Sequence, residues 1–156
     1  MMTELFLKPI IETDSTKYKA VYELLADYKV EYCNKEILIP QFFQYDGASI
    51  PRLAWPIIGS PYNPKLMEAA IVHDWLFYVH ILNRNDTNRN FYNMLLNAGM
   101  NKRKAKIMWI SVQYFGYCRW ANDELDLAYM VKLKQRIIED GRNPLHYGLS
   151  IPKAAH

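Results

Sequence analysis

The sequence predicts an α+β protein, in which a small N-terminal antiparallel sheet is followed by a bundle of three to four helices. Apolar residues alternate with polar ones through much of the first 45 residues, whereas from Lys65 onward they recur at three- and four-residue spacing. Because the two patterns occupy separate parts of the chain, strands and helices are expected to be segregated. The 156 residues are enough for a single domain spanning 1–156 with an ordinary hydrophobic core.

Residues 1–45 are predicted to be mainly strands. Apolar side chains alternate from Tyr18 to Leu24 and again from Tyr28 to Tyr32, and Pro9 favours an edge position for the first apolar run. Residues 46–64 are predicted to form a Pro/Gly-rich loop, with a tight turn at Asp46-Gly47 and a short helix starting near Pro51.

Residues 65–140 are predicted to be mainly helices. Gly99 should end the second helix, Asn101 or a neighbour should cap the third, and Gly116 and Gly141 should end the third and fourth. The apolar alternation from Leu125 to Leu133 keeps a strand as an alternative for the last of them. Residues 141–156 are expected to form an irregular C-terminal arm.

Composition narrows the class of protein. Apolar residues make up 51% and charged residues 22%, which indicates a globular chain, and the net charge of +3 is too small to predict nucleic-acid binding. The basic cluster 102–106 is either a solvated helix start or a contact for an anionic partner. Two cysteines do not form a disulfide framework, and neither a signal peptide nor a transmembrane segment is expected.

The residues most suggestive of chemistry are His73 and Asp74, which interrupt an apolar run from Ala69 to Tyr78. Buried ionisable groups usually have a partner, a metal or a catalytic role. Neighbours on a helix point about 100° apart, so the two side chains should serve two sites. One reading makes His73 a base and Asp74 a metal ligand. The other gives each a structural hydrogen bond, with Asp74 holding the loop 46–51.

A serine-nucleophile reading of Asp46, Ser49 and His73 is weaker, because Ser49 is not part of a G-x-S-x-G turn. A capping role explains Ser49 with fewer assumptions.

The segment from Gly59 to Asn63, followed by Ala70-Ile71-Val72-His73-Asp74, resembles the core of secreted and viral phospholipases A2. The resemblance implies that His73 activates a water molecule and that Asp74 binds calcium. The aspartate that orients the histidine in those enzymes corresponds to Asn88. An amide can hold an imidazole but cannot stabilise its protonated form by charge, so catalysis would be weakened.

A longer resemblance covers about residues 40–117. The patterns D-G-A-S-I-P-R and A-A-x-x-H-D-x-L-[YF] are similar to those of a family of small tailed-phage and prophage proteins of unknown function. The matching residues are Phe43, Asp46 to Arg52, Trp55, Gly59, Pro61, Ala69, Ala70, His73, Asp74, Leu76, Phe77, Arg84, Phe91, Phe115 and Gly116. The resemblance implies a phage origin and a place among virion or tail proteins.

Two main functional hypotheses follow, and a third, weaker one is an inhibitor or decoy of a host protein that uses exposed Tyr and Trp side chains as anchors. The first is a phage accessory or virion-associated protein whose Asp46, Ser49, Arg52 and Asp74 form a structural or binding hub, without a cofactor. Its partners would be other virion proteins or a host protein, in a homo- or hetero-oligomer, in the virion or host cytoplasm. The second is a calcium-dependent hydrolase of a cell-envelope ester, with His73 and Asn88 as its catalytic pair.

Overall fold

The computed structural model describes residues 4–11, 20–32, 35–45, 59, 63–120 and 124–149. The strands in these residues are β1 (Leu7–Ile11), β2 (Ala20–Leu24), β3 (Tyr28–Tyr32), β4 (Lys35–Ile39) and β5 (Gln44–Tyr45). The helices are α1 (Pro64–Val79), α2 (Arg84–Asn97), α3 (Lys102–Trp120), α4 (Glu124–Glu139) and a 3-10 helix, Pro144–Tyr147. The predicted class, an antiparallel β region followed by helices, is confirmed.

The strands form two small sheets where the sequence predicts one. The first has the order β1-β2-β5, and all of its pairs are antiparallel. The second is the antiparallel pair β3-β4, in which Tyr28 lies opposite Ile39. Pro9 lies in β1, at the edge of the first sheet, where a residue without a backbone N–H is tolerated.

Helix α1 is the centre of the hydrophobic core. Apolar side chains on several of its faces are buried, as is typical of a helix surrounded by other elements. These residues are Leu66, Ala69, Ala70, Ile71, Val72, Trp75, Leu76 and Phe77. The edge of the Phe43 ring meets Trp75 and Tyr78, with centroids 5.1 and 5.6 Å apart, so α1 packs against the chain between the two sheets.

Several helix ends lie where the sequence predicts them. Gly99 and Gly141 follow α2 and α4 in the left-handed conformation, with φ of 78° and 76°. The backbone N–H of Arg103 donates to Asn101 Oδ1 at 2.9 Å, so Asn101 caps α3. The segment for which a strand remained an alternative is helical, as α4.

One predicted helix end is wrong. Helix α3 continues through Gly116 to Trp120. Gly116 serves close packing instead, because a Cβ atom there would lie 3.1 Å from Cζ of Phe77. Helix α1 ends at Val79, since the next residue, His80, adopts a left-handed φ of 49°. The short helix proposed near Pro51 and most of the predicted loop lie outside the described residues.

The C-terminal segment is tied to the β region by a polar cluster. Asp27 Oδ2 accepts from the Tyr147 hydroxyl at 2.8 Å, and Asp27 Oδ1 accepts from Arg142 Nη1 at 2.5 Å and from the Gln41 backbone N–H at 2.8 Å. Pro144 and Tyr147 are buried in the 3-10 helix. The predicted irregular arm therefore begins with an ordered, packed turn.

A second ion pair joins α4 to β2. Arg136 Nη1 donates to Glu23 Oε2 at 2.7 Å, and Gln44 Nε2 donates to the same oxygen at 3.2 Å. Burial alone would raise the pKa of the Glu23 carboxyl. The hydrogen bonds from Arg136 and Gln44 and the guanidinium charge outweigh burial, so the pKa lies below its ordinary value of 4.5.

This shift predicts acid sensitivity. A carboxyl whose pKa is lower in the folded state stabilises the protein above its unfolded pKa, and the stabilisation is lost as the pH falls through the folded pKa. The wild type should therefore be more stable than Glu23→Gln at neutral pH, and the difference should shrink progressively below pH 4.5. Urea unfolding of both proteins across this range measures the difference. A constant difference would contradict the prediction.

Candidate functional site

The candidate site lies where α1 and α2 pack together, with His73 on the first helix and Asn88 on the second. Helix α1 starts with Pro64 at its first position, which suits proline because the missing N–H has no intrahelical acceptor there. Asn83 caps α2, since its Oδ1 accepts from the backbone N–H of Asp86 at 2.9 Å. Because α1 begins at Pro64 and α2 follows its cap Asn83, these N-terminal ends fix where His73 and Asn88 lie along the two helices.

His73 and Asn88 are joined by a buried hydrogen bond. His73 Nε2 lies 2.8 Å from Asn88 Oδ1, and both residues are buried. With the amide oxygen as the acceptor, Nε2 carries the hydrogen, and Nδ1 of the neutral ring keeps a lone pair. The contact brings together two of the predicted site residues, which are 15 positions apart in the chain.

Aromatic rings surround the imidazole. The centroid of the His73 ring lies 4.4 Å from that of Phe77, its neighbour on α1, and 4.9 Å from that of Phe91 on α2. The ring is thus held by one polar contact and by packing.

Asp74 has a different environment from His73. Its carboxylate Oδ1 lies 4.0 Å from His73 Nδ1, which is too long for a hydrogen bond, and 19% of its side chain is exposed. This agrees with the expectation that adjacent helix residues point to different places. Asp74 is therefore accessible to an additional partner at the edge of the core.

Helix α2 places further polar groups in the core. Thr87, Asn88 and Asn90 are all at most 2% exposed. Among the described residues, four buried side-chain atoms of α1 and α2 have no hydrogen-bond partner: Trp75 Nε1, Thr87 Oγ1, Asn88 Nδ2 and Asn90 Nδ2. Buried polar atoms are nearly always hydrogen-bonded in folded proteins. These atoms show that α1 and α2 bury polar groups as well as apolar side chains.

The remaining predicted site residues, Asp46, Ser49 and Arg52, lie outside the described residues. Their predicted roles, and the proposed contact of Asp74 with their loop, stay predictions. In the described ranges, no group of three or more His, Cys, Asp or Glu side chains is arranged to hold a metal ion.

Some contacts near the site were not predicted. His80 stacks on Trp120, with ring centroids 4.0 Å apart and planes inclined by 13°, and Trp120 meets the edge of Phe77 at 4.9 Å. These rings connect His73 with the exposed end of α1. His80 and Trp120 lie 40 residues apart in the sequence, and no local sequence pattern reveals that they pack together.

The buried polar residues of α2 did have a sequence signal. Thr87 lies four residues before Phe91, on the face that the apolar spacing assigns to the core. A polar residue at such a position is a candidate site residue, but Thr87 and Asn90 lie in a largely polar stretch of sequence, where a buried polar side chain does not stand out from exposed ones.

The edge of α1 is held to the β region by a further polar contact. The hydroxyl of Tyr28 in β3 donates a short hydrogen bond to Oε1 of Glu68, which lies five residues before His73 on α1. Burial and the adjacent carboxylate raise the pKa of the Tyr28 hydroxyl, so it stays protonated as the donor.

Comparisons with known proteins give two relatives from Sinorhizobium fredii, both described as uncharacterized. Protein y4iH is 43% identical over 75 residues, which is 48% of this chain and 31% of the relative. Protein y4jT is 32% identical over 99 residues, which is 63% of this chain and 30% of the relative. The matched region thus spans about a third of each of these longer proteins. No solved structure matches the chain significantly.

A family model matches residues 22–112, from β2 to the middle of α3. The match includes His73, Asp74 and Asn88, and it covers more than half of the chain. The protein therefore belongs to the family described as "Protein of unknown function (DUF1353)".

Proposed function

We propose that this protein is a phage-derived accessory protein, associated with the virion or tail, whose His73, Asn88 and Asp74 form a non-catalytic structural and binding site. The buried 2.8 Å hydrogen bond from His73 Nε2 to Asn88 Oδ1 carries the proposal. An amide oxygen fixes the ring without supplying the negative charge that would stabilise a protonated imidazole. The pair is therefore better suited to joining α1 with α2 than to moving protons.

The binding part of the proposal rests on the surroundings of this pair. Asp74 is partly exposed, and Trp75, Thr87 and Asn90 contribute buried polar atoms without partners in the described part of the chain. Because those atoms are fully buried, the partly exposed Asp74 carboxylate is the group that a hydrogen-bond donor on a partner would contact. The phage association is supported by the D-G-A-S-I-P-R and H-D patterns, and the partner would be another virion protein or a host protein.

The virion association can be tested with the phage or prophage that carries the gene. Particles are purified from an induced culture by density gradient and analysed by quantitative mass spectrometry, with a known capsid protein as the reference. The protein should copurify with particles at a fixed ratio to the capsid protein. Its recovery only in the soluble lysate would refute the virion association.

A second candidate function is hydrolysis of a cell-envelope ester. It is favoured by one feature: the bond at Nε2 leaves Nδ1 of His73 as a free acceptor, 4.0 Å from the Asp74 carboxylate. A base with this orientation could activate a water molecule. Calcium takes six to eight oxygen ligands. In the part of the chain that the structure describes, no group of three or more His, Cys, Asp or Glu side chains provides such a set.

Asn88→Asp distinguishes the two functions. In a hydrolase, a carboxylate at position 88 would stabilise the protonated His73 and should raise the rate of ester hydrolysis, by up to the 10²–10⁴-fold typical of general base catalysis. In a structural and binding site, neither the wild type nor Asn88→Asp should hydrolyse phospholipid or p-nitrophenyl esters faster than His73→Phe. Hydrolysis that increases in Asn88→Asp and disappears in His73→Phe would overturn the non-catalytic proposal.

A further inference from the structure

The outward face of α3 carries an exposed apolar stripe. Ile107, Ile110, Tyr114 and Tyr117 follow one another at intervals of three, four and three residues, which places them on one side of the helix. Tyr114 and Tyr117 are 78% and 62% exposed, and Phe115 beside them is 70% exposed. The opposite side of α3 is anchored, since Ala105 and Met108 are buried. The stripe is therefore exposed to solvent while the opposite side of α3 stays packed in the core.

The N-terminal end of α3 is strongly basic. Lys102, Arg103, Lys104 and Lys106 are all exposed, and the sequence of α3 contains no acidic residue. Arg103 lies four residues before Ile107, so the stripe runs directly into the basic cluster. Cations in the first turn oppose the helix dipole and do not stabilise α3 itself. The cluster is thus better explained by an external anion than by the stability of the helix.

The partner of α3 must match both its basic N-terminal end and its exposed apolar stripe. A second copy of this chain would bring an equally basic helix with no acidic residue to pair with it. A nucleic acid would match the basic residues and could stack on the tyrosines, but it offers no apolar surface for Ile107 and Ile110. An anionic bilayer offers phosphates for the basic end and an apolar boundary for the aliphatic and aromatic side chains.

We propose that α3 is a peripheral membrane-binding helix that recognises anionic phospholipid. The helix lies in the plane of the interface, with Lys102, Lys104 and Lys106 against the headgroups and Tyr114 and Tyr117 at their level. No helix of the described residues is long and apolar enough to span a bilayer, so binding is confined to the surface. The proposal is independent of the function proposed for the His73 site.

The test is cosedimentation of the full chain with lipid vesicles. Phosphatidylcholine vesicles with roughly 30% phosphatidylglycerol should bind the wild type, and pure phosphatidylcholine vesicles should bind it much more weakly. Because each basic residue near an anionic surface contributes about a fivefold gain in affinity, Lys104→Gln/Lys106→Gln should bind about 30-fold more weakly. Tyr114→Ser/Tyr117→Ser should lose about tenfold or more, because it removes two interfacial aromatic rings.

The matched control is Ile138→Ser on α4, which replaces a 55% exposed aliphatic residue outside the stripe and should bind vesicles like the wild type. Circular dichroism checks that each variant is folded, and Ile110→Ser provides a second probe of the stripe. Equal binding to neutral and anionic vesicles, or equal losses in Ile138→Ser and the tyrosine variant, would overturn the proposal.

Two further results would show that α3 binds another partner instead of the membrane. Wild-type protein that binds a labelled single strand of about 20 nucleotides, but no vesicles, would identify α3 as a nucleic-acid surface. A dimer that dissociates in the tyrosine variant, measured by analytical ultracentrifugation and accompanied by no vesicle binding, would assign the stripe to a second copy.

Discussion

Replacing Asn88 by leucine is expected to lower the free energy of unfolding by about 1–3 kcal/mol, because His73 Nε2–H would stay buried without an acceptor. Leucine has nearly the shape of asparagine, so the substitution removes the hydrogen bond with little change in packing. The decrease in the free energy of unfolding is smaller than it would otherwise be, because leucine also removes the buried Asn88 Nδ2, which has no partner among the described residues. Urea unfolding followed by circular dichroism measures the effect.

A double-mutant cycle isolates the hydrogen bond from the packing. His73→Phe keeps an aromatic ring between Phe77 and Phe91 and removes both ring nitrogens. Because replacing both partners by apolar groups of similar shape can be nearly neutral, His73→Phe/Asn88→Leu should be more stable than the sum of the single changes implies. The coupling should be about 1–2 kcal/mol. Strict additivity would show that the pair does not stabilise the contact of α1 with α2.

Asp27→Ala is expected to destabilise the protein by about 2–4 kcal/mol, since one carboxylate accepts hydrogen bonds from Arg142, Tyr147 and the Gln41 backbone. The substitution leaves the partly buried Arg142 guanidinium and the Tyr147 hydroxyl without their shared acceptor. It should also loosen the C-terminal 3-10 helix. Thermal unfolding and amide hydrogen exchange of residues 144–149 measure both effects.

Asp140→Ala is the matched control for this cluster. The Asp140 carboxylate also pairs with Arg142, at 2.7 Å from Nε, but 46% of its side chain is exposed. Exposed ion pairs contribute about 0–1 kcal/mol, so this variant should stay close to the wild type. Equal losses in Asp27→Ala and Asp140→Ala would mean that the charge of Arg142, rather than the buried hydrogen-bond network, dominates the attachment of the C-terminal segment.

The order of the elements could be predicted because it depends on local patterns. Alternation near Tyr28 and three- and four-residue spacing around Leu66 report which side of each element faces the core. Gly99, Asn101 and Gly141 mark helix ends through backbone conformation and capping, which are also local. Gly116 was misinterpreted because glycine can equally serve the close approach of two elements, and only the position of Phe77 distinguishes these roles.

The candidate site was predictable only in part. The interruption of an apolar run singled out His73, and the resemblance to phospholipases A2 singled out Asn88, which the structure places within hydrogen-bonding distance. The stacking of His80 on Trp120 and the acceptor role of Asp27 join residues 40 and 120 positions apart. No local pattern specifies such pairs, because they result from how complete helices and strands pack.

The sequence alone therefore determined the α+β class, most helix starts and ends, and the choice of His73 and Asp74 as the residues to examine. These features follow from side-chain periodicity, capping and the cost of burying polar groups, all of which act over a few residues. The tertiary structure alone decided that the hydrogen bond of His73 with Asn88 is buried between aromatic rings, that His80 stacks on Trp120, and that the apolar stripe of α3 stays exposed. Each depends on which faces of distant elements meet, and the burial of one face settles the exposure of another.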